Sequence, residues 1–206
     1  FGPIFPALTA CAAIFPVVYP HRVHQAFWEV GEEPWERAVH VVERFAGPEV
    51  ESFTYGVSRF YMVTPLEDQL QLVQRLLAHW RQGHGAERHP ERKMALELVI
   101  PTASLAEVVD TMRNEFGQRP ELLITGASLT GATLSYSEAR ELIGRGKPLL
   151  ILFGTGWGLA DEVVDMADHR LAPIQGGSKY NHLSVRSAAT AILDRLLGSH
   201  NGNETS

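Results

Sequence analysis

The 206-residue chain has one cysteine, Cys11, so it can form neither an internal disulfide nor a cysteine metal cluster, and a reducing cytoplasm suits it. Positive charge is also scarce. Eighteen Lys and Arg stand against 24 Asp and Glu, a net charge of −6, which excludes a global basic field for nucleic acid. The deficit is uneven: residues 1–53 carry seven acidic and three basic residues, net −4, and the remainder is net −2. A local basic face is still open to the second part. A clean membrane span is missing too. "FGPIFPALTACAAIFPVVYP" is apolar and long enough, but Pro3, Pro6, Pro16 and Pro20 break a continuous helix. "LTAC" looks like a lipoprotein cleavage box, yet no positively charged region precedes it, so neither export nor a membrane partner is expected. The start at Phe1 rather than Met fits a fragment or a processed product. Hydrophobic residues at 45% and charged residues at 20% are the balance of a globular domain with a sizeable core.

The usual phosphate-binding fingerprints are absent as well. A Rossmann loop needs G-x-G-x-x-G on the first strand and an acidic residue about twenty positions later. Here "GTGWG" comes late in the chain and Asp161 follows almost at once. A P-loop needs G-x-x-x-x-G-K-[ST], but "GRGKP" has Pro after its Lys and Glu141 where the first Gly belongs.

What is present from residue 57 onward is a regular alternation. Strands are expected at 58–63, 95–101, 121–125, 148–153 and 169–174. "PLLILF" has no polar face and belongs in the middle of a sheet covered on both sides. Thr64/Glu67, Ser104/Glu107 and Ser135/Glu138 have the spacing of capping boxes, each before an apolar stripe at helical period. The third helix is closed by Gly144 or Gly146, and a last helix runs from about Asn181 to Leu197. Residues 81–93 read as a loop, and 199–206 as a disordered tail. The first 53 residues fit less well, with a strand at 14–19 and a helix at about 35–46. The alternation predicts an α/β fold, a parallel sheet with helices on both faces.

In such sheets ligands sit beyond the carboxyl ends of the strands. Three loops at those ends are rich in glycine: "TGASLTGAT" (125–133), "GTGWGL" (154–159) and "QGGSKYN" (175–181). One alone would be a tight turn, but three on one rim point to a binding site. A separate cluster, Arg81, Arg88, Arg92 and Lys93 with His84 and His89, is either a solvated loop or a basic arm for RNA phosphates. Its histidines have no carboxylate or thiol partner at metal-binding spacing, and no metal is expected.

"TYGVSRFYMVTPLEDQ", "HWRQGHG", "GTGWGL" and "NHLSVRSAA" together resemble the small bacterial TrmD-like family of the SPOUT class of S-adenosylmethionine-dependent RNA methyltransferases, over about residues 54–197. The resemblance implies a methyltransferase domain over 54–198, a C-terminal trefoil knot, a cytoplasmic homodimer and an RNA substrate, tRNA or rRNA. It also implies that S-adenosylmethionine lies against the three loops. Thr125, Gly126 and Ala127 would come from the first; Leu152, Gly154, Thr155, Gly156 and Gly158 from the second; Pro173, Ile174, Gly177 and Leu183 from the third. Asn181, His182 and Ser184 are the candidate catalytic residues, with Asn181 or Ser184 equally readable as a helix cap and His182 as a general base or a structural histidine. The family's first motif, a helix reading roughly Asp-Leu-His-Asp-Ile-Ala-Arg before "TYG", is replaced here by "AGPEVESF". Pro48 excludes a helix interior there, and the motif's Arg is absent. Residues 1–53 are therefore set apart as a divergent or replaced segment. The rival expectations are a SAM- and RNA-binding protein without activity and another α/β enzyme with a nucleotide ligand.

Overall fold

The computed structural model describes residues 8–14, 54–82, 90–154, 158–177, 181 and 183–199. Six strands, β1 (Leu8–Ile14), β2 (Phe60–Val63), β3 (Val99–Thr102), β4 (Glu121–Ile124), β5 (Leu149–Gly154) and β6 (His169–Arg170), form one sheet in the order β3-β2-β1-β5-β4-β6. Every pairing in it is parallel. The helices are α1 (Glu67–Gln82), α2 (Pro90–Glu97), α3 (Leu105–Phe116), α4 (Tyr136–Gly144), α5 (Asp161–Met166) and α6 (Val185–Leu197).

β5 lies inside the sheet, as its unbroken apolar run requires, and Leu149 to Phe153 are all buried. Its side chains alternate between two cores. Leu149, Ile151 and Phe153 face the layer of α1, α2, α4 and α6, where Trp80, Leu96, Ile143 and Leu193 pack. Leu150 and Leu152 face Val108 and Met112 of α3 and the half-buried Val163 and Val164 of α5. Full burial of each such side chain contributes about 1.5–3 kcal/mol, so this strand anchors both layers.

The N-terminal strand sits between β2 and β5, with Ile14 opposite Val63 on one side and Gly154 on the other. The segment before residue 54, set apart by sequence, thus supplies an interior strand. It begins earlier than the expected 14–19, of which 15–19 lie outside the described residues, as does the helix expected at 35–46.

Local chemistry explains the other shifts. The strand expected at 95–101 is split, because α2 continues to Glu97 and β3 starts only at Val99. Ala95 and Leu96 are buried while Met94 and Glu97 are exposed, a helical pattern that a short apolar run conceals. Pro90 opens α2 in the position where its missing N–H costs nothing. The expected loop at 81–93 therefore shrinks from both ends, with 83–89 outside the described residues. Thr64 does not cap α1. Its hydroxyl donates to Gln69 Oε1 at 2.8 Å and accepts from the Leu66 N–H at 3.3 Å, ahead of the first helical residue. Ser104 caps α3 by accepting from the Glu107 N–H, and Gly117 closes that helix at φ +70°. Ser135 and Glu138 form both halves of the capping box of α4, which ends at Gly144 with Arg145 as its cap. The last helix starts at Val185 rather than Asn181, capped by Ser184. The strand expected at 169–174 is two residues long, followed by a bridge between Leu171 and Leu134. The short α5 was not expected from sequence.

Candidate functional site

Parallel pairing puts the carboxyl ends of all the strands on one rim, and a cavity of about 470 Å³ opens there beside β4, β5 and α6. That volume suits a small-molecule ligand. At the end of β4, the main-chain N–H and the hydroxyl of Thr125 both donate to the Leu152 carbonyl, at 3.1 and 2.9 Å, which turns residues 126–128 into the cavity wall. At the end of β5 the chain folds back on itself. A Cβ on Gly154 would lie 2.3 Å from the Gly158 carbonyl carbon, and Gly158 has φ +91°. Both positions therefore require glycine, one for close approach and one for conformation. The segment 171–174 forms a third wall. The first turns of α6 form a fourth, through Ser184, Val185, Ala188 and Ile192. Asn181 bridges two walls by donating from Nδ2 to the Ala127 carbonyl at 3.2 Å.

Eight of the twelve residues expected at the cofactor line this cavity: Thr125, Gly126, Ala127, Gly154, Gly158, Pro173, Ile174 and Leu183. Thr155 and Gly156 lie outside the described residues. Gly177 is exposed and away from the lining. The Leu152 side chain is fully buried toward α3, which leaves its main chain for the site, where its carbonyl anchors Thr125. Of the catalytic candidates, Asn181 and Ser184 reach the cavity, while His182 lies outside the described residues. Ser184 is the cap of α6: its Oγ accepts from the Ser187 N–H at 3.2 Å. Sequence reasoning missed the apolar floor, Phe153, Leu171 and Ile192. Phe153 alternates with Leu152 along β5, and that period-two signal could have selected it instead.

Among its described lining residues the cavity has no charged side chain. Charges gather elsewhere. Glu121 accepts from Lys147 at 3.0 Å and pairs with His169 Nε2 at 2.9 Å, and the His169 hydrogen bond holds its carboxyl below the ordinary range. Arg81, expected in the basic arm, is turned inward, donating to the Leu96 and Val99 carbonyls at 2.8 and 2.9 Å. It ties the end of α2 to β3. Lys93 is half-buried on α2, and the side chains of Arg88 and Arg92 lie outside the described residues. Among the described residues no three His, Cys, Asp or Glu converge on a metal site, and no helix is long and apolar enough to cross a membrane.

The parallel sheet, with a glycine-bounded cavity whose described lining carries no charge, defines a class: an α/β domain with a small-molecule-sized cavity at the carboxyl ends of its strands. The chain belongs to the family of SAM-dependent RNA methyltransferases, whose profile matches residues 50–198. It is 42% identical over 147 residues to a tRNA (guanine-N(1)-)-methyltransferase of Oleidesulfovibrio alaskensis, a match covering 71% of this chain and 34% of that protein. The chain thus spans about a third of the length of that curated relative. In fold it is similar to TrmJ from Z. mobilis, with a TM-score of 0.56 at 15% identity over 92% of this chain and 68% of that one. It is also similar to the SpoU methyltransferase AviRb from Streptomyces viridochromogenes in complex with AdoMet, with a TM-score of 0.50 at 15% identity over 93% of this chain and 57% of that one.

Proposed function

We propose that this chain binds S-adenosylmethionine in the rim cavity and methylates RNA. The observation that carries the reading is the close approach of Gly154 and Gly158 within the family's matched region, which puts two residues without side chains on the cavity wall at the end of β5. The residues present fit such a cofactor. The main chain of Gly126, between the bonded Thr125 N–H and Ala127 carbonyl, suits its polar edges, and Pro173, Ile174 and Leu183 offer apolar contact for a base. Thr155, Gly156 and Gly177 complete the proposed loops. Bound there, S-adenosylmethionine supplies a methyl group on a cationic sulfur, and no metal is required for that chemistry.

The protein's own part is to orient the RNA nucleophile and accept its proton. Asn181 and Ser184 are already engaged, one on the Ala127 carbonyl and one on the Ser187 N–H, and in this reading they shape the cavity. His182, next to Asn181 in sequence, is the candidate base, since histidine titrates near neutral pH. Arg88, Arg92 and Lys93 are the candidate phosphate contacts. A cytoplasmic homodimer and a knotted C-terminal half belong to the same reading, as does a methyltransferase domain over 54–198 with β1 recruited from the divergent segment.

A second reading is favoured by one observation: "AGPEVESF" stands where the family's motif brings an Arg. In that reading the chain binds cofactor and RNA but transfers methyl slowly. One experiment separates the two. S-adenosylhomocysteine at about 100 times its dissociation constant stabilises a binder by about 2.7 kcal/mol, seen as a raised melting temperature that ATP does not reproduce. Radiolabelled methyl incorporation into total bacterial RNA then reports catalysis. A shift with incorporation supports the first reading, a shift without it the second, and no shift sinks both.

A further inference from the structure

The wall built from residues 126–128 belongs to a longer loop, 125–134, whose two ends are fastened by main chain. Thr125 is bound to Leu152, and Leu134 pairs with Arg170 and Ala172 through N–H···O bonds of 2.7 and 2.8 Å. Between those anchors Leu129 packs toward the α3 core, and among the described residues two side chains from outside hydrogen-bond to the loop. One is Asn181, on Ala127. The other is Arg170 of β6, whose Nη1 donates to the Thr130 carbonyl at 3.1 Å across 40 residues of sequence. Its guanidinium also lies over Gly131, where a Cβ would meet Nη1 at 3.4 Å. Gly131 has φ +91°, so the loop turns sharply under the guanidinium.

Arg170 does not line the cavity, but the four residues after it do. Its carbonyl accepts from Leu134, its guanidinium holds Thr130, and its own strand leads straight into the wall 171–174. We infer that Arg170 is a positioning residue: it sets the distance between the first and third walls and thereby governs cofactor affinity. This rests on the cofactor reading above. A cation suits the task because a charged donor holds a carbonyl more firmly than a neutral one. The effect falls on the resting geometry of the cavity rather than on the reacting atoms, so it belongs in KM and leaves kcat alone.

The test compares wild type with Arg170→Gln and Arg170→Lys. Calorimetric titration with S-adenosylhomocysteine measures affinity, and hydrogen exchange on the ligand-free proteins measures the opening of residues 126–130. The glutamine variant is expected to bind about tenfold more weakly, a modest loss for a charged donor because Arg170 is only half-buried. Its 126–130 amides should exchange faster, its KM for S-adenosylmethionine should rise and its kcat should hold. Lysine, which keeps a cationic donor, should recover most of the affinity even if the glutamine variant folds poorly. Equal affinity and equal exchange in wild type and Arg170→Gln overturn the inference, and so does a lysine variant as weak as the glutamine one. If wild type itself binds no S-adenosylhomocysteine, the cofactor reading fails, while exchange in the ligand-free proteins still judges the tether.

Discussion

At the amino ends of β4, β5 and β6 the charges close on one another. Glu121 takes Lys147 and His169, and Asp168 takes Arg119 and the Leu122 N–H, at 2.7–3.0 Å. At the carboxyl ends of the same strands the described cavity lining holds no charge, two of its glycines are mandatory, and main-chain groups face the opening. One end satisfies its polar groups internally, and so does little beyond holding strands in register. The other leaves polar main chain in a concave, half-apolar space, which is what a small ligand needs. The proposed cofactor site therefore goes with the end that lacks side chains rather than with the end where charges cluster.

The contrast can be broken most severely at Gly154. In Gly154→Ala the new Cβ meets the Gly158–Leu159 peptide at 2.3–2.6 Å, and backbone must move. Overpacking of that kind costs about 1–3 kcal/mol, which lowers the melting temperature of a chain this size by several degrees at about 2–4 °C per kcal/mol. The shifted loop should abolish the melting shift with S-adenosylhomocysteine. A variant that still binds removes this loop from the site. A milder change is Ser184→Ala, which deletes the cap of α6 and should cost about 1 kcal/mol in urea unfolding. If Ser184 is only a cap, methyl transfer by the folded variant stays near the wild-type rate, and a large loss would make its hydroxyl catalytic.

The smallest effect belongs to the opposite end. Glu121 has a folded-state pKa below its ordinary 4.5, so its stabilisation is present above that value and is lost as pH falls through the folded one. Its partners are partly exposed, which limits the gain to about 0.2–1 kcal/mol. Wild type should exceed Glu121→Gln in stability at neutral pH, and the two should converge once the pH has fallen through the lowered folded-state value. A lead that persists in acid would show that packing, not charge, accounts for Glu121.

Legibility followed the range of the forces involved. "PLLILF" announced a doubly covered strand because burial on both faces leaves no polar position. Ser135 and Glu138 announced their helix because the box closes within four residues. The same spacing misled at Thr64, whose hydroxyl oxygen accepts from the Leu66 N–H instead of the Glu67 N–H. "ALELVIP" was misread because a seven-residue, mostly apolar stretch carries too little period to separate helix from strand, and Arg81 of the preceding helix bonds to the Leu96 and Val99 carbonyls on either side of the change. In the site, the glycines were readable because their absence of side chain is written in the sequence. That Phe153 rather than Leu152 turns its side chain to the cavity was not, because one step along a strand reverses a side chain's face.

By itself, then, the sequence determined the alternation of strands and helices, the buried place of β5, the glycine loops on one rim and the family whose motifs they complete. These follow from local backbone preference and from the sorting of apolar side chains out of water. Only the tertiary structure decided that residues 8–14 lie between β2 and β5, that Arg81 serves the fold, and that Arg170 and Asn181 fasten a loop forty or more residues away. Those outcomes depend on which hydrogen-bonding groups meet once the sheet order is set, and no spacing along the chain encodes such a meeting.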